Sequence, residues 1–300
     1  MAITPASAAI PSSRRRHITN IVFFRVGAML SLLIIVVPVA WVIIDIIARA
    51  IPHWQWSVLT TNTVGASGGL KNAILGTLIL MAGTLVIAGT IGVAGGVFLA
   101  EFAGVNRKGK ERGGFLRSST EILSGVPSIA LGLVGYLALV VGFHWGFSLM
   151  AALIVLSVMV IPYIARGTET AVRQVPTAYR EGAEALGMPG GYSLRKVVLK
   201  SALPGIMTSL LLALAISAGE TAPLLYTAGW YTGTPKAELF HQPIGYLTYP
   251  VWTFWDYPSN EAHYLAYDAA LILLVLVLVL LVISRIIVNR TQRHAEGSRR

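Results

Sequence analysis

Two short stretches contain residues that could act on a substrate. Residues 65–69 read GASGG, which formally matches the G-x-S-x-G pattern of serine hydrolases. The attacking serine of that pattern stands on a turn between a strand and a helix, and no strand pattern precedes Ser67. An intramembrane protease would also need a histidine inside a later helix, but His144 and His263 lie at the edges of the later apolar segments. We expect a turn here, and an intramembrane protease is kept as an alternative.

Residues 104–111 read GVNRKGKE, which is one residue short of a phosphate-binding P-loop. A P-loop follows a strand and ends in a hydroxyl residue that binds magnesium, whereas Glu111 stands there and an apolar helix precedes. The chain has no cysteine, and its six histidines show no metal-ligand spacing. We therefore expect no cofactor, no metal and no catalytic residue in this chain.

The composition indicates an integral membrane protein. Of the 300 residues, 55% are hydrophobic and only 12% are charged, with a mean hydropathy of +0.70, whereas soluble domains contain about 25% charged residues. A helix needs roughly 20 mostly apolar residues to cross a bilayer. This predicts an all-α polytopic fold in contact with membrane lipid. The six predicted membrane helices are residues 22–49, 70–102, 120–143, 147–165, 204–227 and 267–288.

Lysine and arginine are concentrated in alternate connections between these helices. Segments 104–117 and 166–203 are rich in both, whereas residues 50–69 and 228–266 contain only Lys236. By the positive-inside rule, both chain termini are expected in the cytoplasm. The net charge of +10 therefore reflects membrane orientation, and no nucleic-acid partner is expected. The predicted organisation is a cytoplasmic tail (1–21), a first helix with an outer loop (22–69), a transmembrane domain (70–288) and a basic cytoplasmic tail (289–300).

The cytoplasmic segment 166–203 contains a short polar helix. Pro176 suits a first helical position, Gly187 suits the C′ position, and the Pro-Gly-Gly at 189–191 should stop the helix. A helix of this length needs a docking partner. Its alanines and glutamates fit a protein groove better than anionic lipid headgroups. The residues expected to take part in this contact are Arg180, Glu181, Gly182, Ala183, Glu184 and Gly187.

The stretch REGAEALG, followed by VVLKSALPG, resembles the EAA signature of ABC importer permeases. The resemblance implies that this helix couples the permease to a separate ATPase, which binds ATP and magnesium. Two positions depart from the pattern: Gly182 stands where alanine is common, and Lys200 stands where many relatives have proline.

Other stretches resemble PstA-type permeases of bacterial phosphate importers. They are LSGVPSIALGLVGY (123–136), AISAGETAPLLYTAG (215–229), GLKNAILGTLIL (69–80) and GVAGGVFLAEFA (92–103). The resemblance implies a six-helix, MetI-like permease of the bacterial inner membrane that imports phosphate. It also implies three partners: a PstC-like permease, a PstB-like ATPase dimer and an extracytoplasmic phosphate-binding protein. A permease for molybdate or sulfate, and a secondary transporter or channel, are the alternatives.

The aromatic and proline-rich loop 228–266 is expected to be an interfacial belt, a docking surface for the binding protein, or both.

Glu220 is the acidic residue most deeply placed in a predicted membrane helix. It lies about 24 Å along the fifth helix from Pro204, where a carboxylate is costly and indicates either a functional site or a structural hydrogen bond. Many relatives carry an arginine where this chain has Ile216, so any partner of Glu220 must come from elsewhere. Ser128 could offer its hydroxyl to a passing oxyanion. The candidate pathway residues are Gly125, Pro127, Ser128, Glu220 and Thr221.

Overall fold

The structure is a computed structural model that describes residues 12–103, 113–236 and 238–297, with side chains between residues 24 and 289 of those ranges. The GVNRKGKE stretch and the two extreme ends of the chain lie outside the described residues. Contacts divide the chain into a unit ending at Pro52 and a unit beginning at His53.

The first unit is one long helix, α1 (Ser12–Ala50), which contains Pro38. None of the residues in its most apolar stretch is buried. These side chains are therefore available for contact with lipid, as predicted for the first membrane helix.

The second unit is built from helices and one small hairpin. Its elements are α2 (Ser57–Thr60), β1 (Thr63–Val64), β2 (Ser67–Gly68), α3 (Lys71–Glu101), α4 (Gly114–Gly125), α5 (Ser128–Gly135), α6 (Leu149–Arg173), α7 (Thr177–Ala185), α8 (Gly190–Ser193), α9 (Leu199–Gly219), α10 (Ala222–Thr227), α11 (Thr248–Thr253) and α12 (Asn260–Gly297).

Six membrane crossings are present when one bent pair is counted as a crossing. Within the described residues, five helices are long and apolar enough to span a bilayer, and α4 with α5 and its continuation to Gly142 gives the sixth. The sequence predicts the third membrane helix over 120–143, and the structure divides this segment into two helices. The two halves meet at an angle of 101°. Val126 and Pro127 are extended there, because a residue before proline is driven out of the helical region and proline has no N–H to donate.

The fifth predicted helix also differs at both ends. Helical backbone runs from α8 through a π-helical turn into α9, so Pro204 lies inside the helix instead of starting it. A proline inside a membrane helix is tolerated where neighbouring helices cover the freed carbonyl. The helix then ends at Gly219, since Glu220 is extended, and α10 begins after it.

Helices α3 and α6 pack closely because glycines leave no side chain between the two backbones. A Cβ atom added at Gly92 would lie 2.7 Å from the Cβ of Ile164, and one at Gly96 would lie 2.5 Å from the carbonyl oxygen of Ala165. Gly92 and Gly96 therefore serve the close packing of the two helices. Gly95 has no neighbour within 4 Å.

The second unit has two distinct ends. We call one the α7 end: it comprises α7, α8, the last turns of α3 and α6, and the first turns of α9. We call the other the loop end: it comprises the β1–β2 hairpin, segment 228–257 and the first turns of α3, α6 and α12. The amide of Met150 in α6 donates to the Leu239 carbonyl at the loop end, and Arg173 at the last turn of α6 donates to the Leu99 carbonyl of α3 at the α7 end.

The aromatic segment at the loop end forms a small core of its own. Trp230 stacks on Tyr249 with ring centroids 4.3 Å apart, and Tyr246 and Phe254 are almost fully buried beside them. Trp252, in contrast, is 64% exposed. The segment is therefore a folded element, and its exposed rings stay candidates for an interfacial belt, for docking, or for both.

Candidate coupling and translocation sites

Helix α7 ends in a Schellman motif, as the sequence predicts. Gly187 has φ +70°, its amide donates to the Glu184 carbonyl, and the Met188 amide donates to the Ala183 carbonyl. Glycine is favoured at this C′ position because it adopts positive φ without a steric penalty. At the other end, Pro176 precedes the helix as its N-cap, not as the predicted first helical residue. The Pro-Gly-Gly segment does follow the end of α7, but Gly190 begins α8.

Helix α7 presents most of its surface outward. Ala183 is its only buried residue, whereas Tyr179 is 51% exposed and Leu186 is 76% exposed. Glu181 and Glu184 are also exposed. A short helix with uncovered apolar side chains next to carboxylates has the character of a protein-docking surface. The open space around Gly182, with no atom within 4 Å of an added Cβ, leaves room for a close approach.

Arg180 differs from its neighbours because it points back into its own chain. Its two terminal nitrogens donate to the two carboxylate oxygens of Glu101 at 2.7 and 2.6 Å, a bidentate pair. The hydrogen bonds that Arg180 donates to the Glu101 carboxylate raise the pKa of its guanidinium. Since Glu101 is the last residue of α3, the pair ties α7 to α3.

A second ion cluster lies at the same end. Glu169 of α6 accepts from Arg117 of α4 at 2.9 Å and lies 3.0 Å from Arg173. The cluster therefore ties α4 to α6, and it uses several of the basic residues that the charge pattern placed on one side of the membrane.

Glu220 lies at the break between α9 and α10, at the opposite end of α9 from α7. α9 alone has 21 residues, which corresponds to about 30 Å. The Glu220 side chain lies beside Ser128, the first residue of α5, close enough for the carboxylate and the hydroxyl to interact. This supplies the partner from elsewhere that Ile216 could not provide. It also places the carboxylate beside a helix N-terminus, where the helix dipole favours negative charge.

The backbone of Glu220 is held as well. Its carbonyl accepts a 2.8 Å hydrogen bond from the hydroxyl of Thr248, the first residue of α11. The break in the fifth crossing is thereby joined to the folded segment at the loop end.

The two broken crossings pack against each other beyond their breaks. A Cβ atom added at Gly132 of α5 would lie 2.7 Å from Cα of Pro223 in α10, and one at Gly135 would clash with Val155 of α6. Gly132 and Gly135 therefore let α5 lie directly on α10 and α6.

The structure thus brings together five residues that the sequence proposed separately. Pro127 and Thr221 are the N-caps of α5 and α10, and Gly125 ends α4. Neither Glu101 nor Thr248 was predicted to have a role in these sites. The signal for Glu101 was a single acidic residue at the end of an apolar helix, and Thr248 carried no signal because its role depends on a contact across the fold.

Ser67 has no catalytic setting. It lies in the β1–β2 hairpin, where no strand was expected, and its hydroxyl donates to the Val64 carbonyl at 3.0 Å. A nucleophile would instead face a base.

Comparison with known proteins agrees with the membrane fold described above. A family model described as "Binding-protein-dependent transport system inner membrane component" matches residues 92–293, about two thirds of the chain. The chain belongs to this family. As a member with six membrane crossings, it is a multi-pass inner-membrane permease.

Named relatives of this permease include phosphate transport proteins. It is 53% identical to "Phosphate transport system permease protein PstA 2" of Mycobacterium bovis, over 91% of this chain and 89% of the relative. It is 34% identical to "Probable phosphate transport system permease protein PstA" of Methanocaldococcus jannaschii, over 86% of this chain and 89% of the relative.

A solved structure of the MetNI methionine ABC transporter in an inward-facing conformation has the same fold. The TM-score is 0.57 at 23% identity, and the match covers 74% of this chain and 97% of the other. The predicted MetI-like ABC permease fold is therefore confirmed.

Proposed function

We propose that this permease imports inorganic phosphate as one half of the translocation path of an ATP-driven importer. The observation that carries the proposal is its 53% identity to the PstA 2 phosphate permease over nearly the whole chain. A second, PstC-like permease would complete the path, and an extracytoplasmic phosphate-binding protein would deliver the substrate to the loop end.

In this proposal, the α7 end is cytoplasmic and α7 inserts into a groove of a PstB-like ATPase dimer. The exposed Leu186 and Tyr179 would enter the groove, and Glu181 and Glu184 would meet charged residues at its rim. ATP and magnesium belong to the ATPase. This chain contributes α7, and α7 moves when the ATPase dimer closes.

The proposed path passes the two helix breaks. Non-helical backbone within a membrane protein is tolerated where it lines a cavity, and both breaks have such backbone. The Glu220 carboxylate, beside the hydroxyl of Ser128, would set the charge at this point. A fixed negative charge keeps phosphate from binding tightly during passage, so affinity would be left to the binding protein.

The test is uptake of radiolabelled phosphate by bacteria that lack their own phosphate importers and express this chain with its three partner subunits. We expect ATP-dependent uptake that excess unlabelled phosphate abolishes and that molybdate and sulfate leave unchanged. Uptake that molybdate or sulfate suppresses would assign the permease to another oxyanion. Uptake that continues without the ATPase would contradict coupling through α7.

A further inference from the structure

Helix α3 is fixed by side-chain hydrogen bonds at both of its ends, to two segments that lie far apart. We infer that α3 transmits movement between the coupling helix α7 and the loop end, and that Glu101 is the positioning residue that attaches α3 to α7. The inference rests on the proposed function and adds a route for the movement that α7 receives.

The attachment at the α7 end is strong by its geometry. Both carboxylate oxygens of Glu101 accept from Arg180, and the side chains are only 16% and 30% exposed. A planar bidentate pair holds direction as well as distance. The chain already joins α7 to α6 and α8 through short connections. The ion pair makes α3 a third helix that must follow α7.

The attachment at the loop end involves two polar side chains on α3, both buried. Asn72 accepts from the amide and the hydroxyl of Thr63 at 3.1 and 2.9 Å, and it donates to the Tyr231 carbonyl at 2.8 Å. Thr77 accepts from the Leu247 amide at 2.9 Å. Within one and a half turns, α3 therefore binds the hairpin at Thr63 and the loop segment at both Tyr231 and Leu247.

Backbone contact reinforces this attachment. A Cβ atom added at Gly76 would collide with the carbonyl oxygen of Gly245. The loop segment lies directly on α3, so the two must move together.

The loop end leads on to the translocation path. Leu247, held by Thr77, adjoins Thr248, whose hydroxyl is bound to the Glu220 carbonyl. A continuous set of contacts thus begins at Arg180 of α7 and passes through Glu101 into α3. It follows the 31 residues of α3 to the loop segment and ends at the break at Glu220. At 1.5 Å per residue, α3 covers about 45 Å.

The first test is Glu101→Gln in the complete importer, which removes the charge and keeps the size. We expect assembly with the partners to persist, and phosphate transported per ATP hydrolysed to fall at least fivefold. The exchange Glu101→Arg with Arg180→Glu should recover at least a third of the loss. The matched control Glu121→Gln removes an exposed carboxyl on α4 and should stay within twofold of the wild type. A Glu101→Gln importer with a normal transport ratio, or an exchange without recovery, would overturn the inference.

The second test needs no transported substrate and separates this inference from the proposed function. Because the chain has no cysteine, Thr232→Cys gives it a single thiol beside Tyr231 at the loop end. We expect trapping of the ATPase with vanadate and ATP to change the rate of labelling by a membrane-impermeant maleimide at least threefold. Glu101→Gln should reduce that change to less than half, even if the substrate proves not to be phosphate. If Glu101→Gln leaves the vanadate-induced change in labelling rate as large as in the wild type, the proposed role of α3 is refuted. Absence of phosphate uptake by the wild type would refute only the proposed substrate.

Discussion

The side chain of Glu220, at the break of the fifth crossing, lies beside Ser128, at the break of the third, within reach of its hydroxyl. Both residues stand where a helix is interrupted, and α5 and α10 pack on each other just beyond them. The two interrupted helices therefore meet at this pair of residues.

Glu220→Gln separates the charge of this residue from its hydrogen bonding. The amide can still bond to the Ser128 hydroxyl, so the fold should be kept. If the fixed charge governs passage, the maximal rate of phosphate uptake falls at least tenfold at an unchanged level of assembled importer. Uptake and membrane-protein yield are measured together. A fully active Glu220→Gln importer would show that the residue is structural.

Ser128→Ala removes the hydroxyl beside the carboxylate and leaves the backbone break intact. We expect the rate of phosphate uptake to fall severalfold, because Glu220 then loses the neighbouring hydroxyl that can donate to its carboxylate. Ser128→Thr, which keeps a hydroxyl, should recover most of the rate. Ser124→Ala is the control, since its hydroxyl bonds only locally to the Glu121 carbonyl.

Gly187→Ala tests the C′ turn that ends α7. A residue other than glycine at φ +70° costs about 1–2 kcal/mol. The helix end should fray, and ATP hydrolysis should become less dependent on the binding protein. Gly191→Ala in α8 is the matched control, because an added Cβ there has open space and the backbone does not have positive φ. Equal effects of the two substitutions on coupling would contradict a role for the turn.

A single cysteine at Leu186 should cross-link to the ATPase. The chain has no cysteine of its own, and Leu186 is the most exposed apolar side chain near the end of α7. With a short bifunctional thiol reagent and an ATPase carrying cysteines in its groove, we expect one adduct of the summed mass on a denaturing gel. Val64→Cys, equally exposed but at the loop end, should give none.

Gly76→Ala and Gly95→Ala compare two glycines of α3. The added methyl group at position 76 would collide with the loop backbone, whereas position 95 is open. We expect Gly76→Ala to lower the melting temperature of the purified protein by several degrees, and Gly95→Ala to leave it unchanged or to raise it. A melting temperature for Gly76→Ala equal to that of the wild type would contradict the tight contact.

The sequence predicted the elements that depend on local chemistry. Runs of apolar residues located the crossings, and Gly187 located the end of α7, because glycine at positive φ is a local requirement. Pro127 was named only as a candidate pathway residue, because the 101° turn that it allows depends on how α5 packs on α10 and α6, which no local pattern encodes.

Side-chain partners were the least predictable feature. Arg180 was expected to face a partner protein, whereas it is paired with Glu101 from a helix far away in the chain. Its role toward the ATPase stays a proposal, now by way of α3. Glu220 was singled out by its cost in a membrane, but Ser128 and Thr248 were joined to it only by the tertiary fold.

The bend between α4 and α5 also bears on how the protein is made. The insertion machinery reads residues 120–143 as one apolar stretch of membrane length, yet in the finished protein that stretch is folded over at Pro127. The contacts that hold α5 in its place are made with α6 and with α10, and α10 is synthesised some 90 residues later. We therefore expect the third segment to enter the bilayer straight and to reach its final bend only after translation has passed α10.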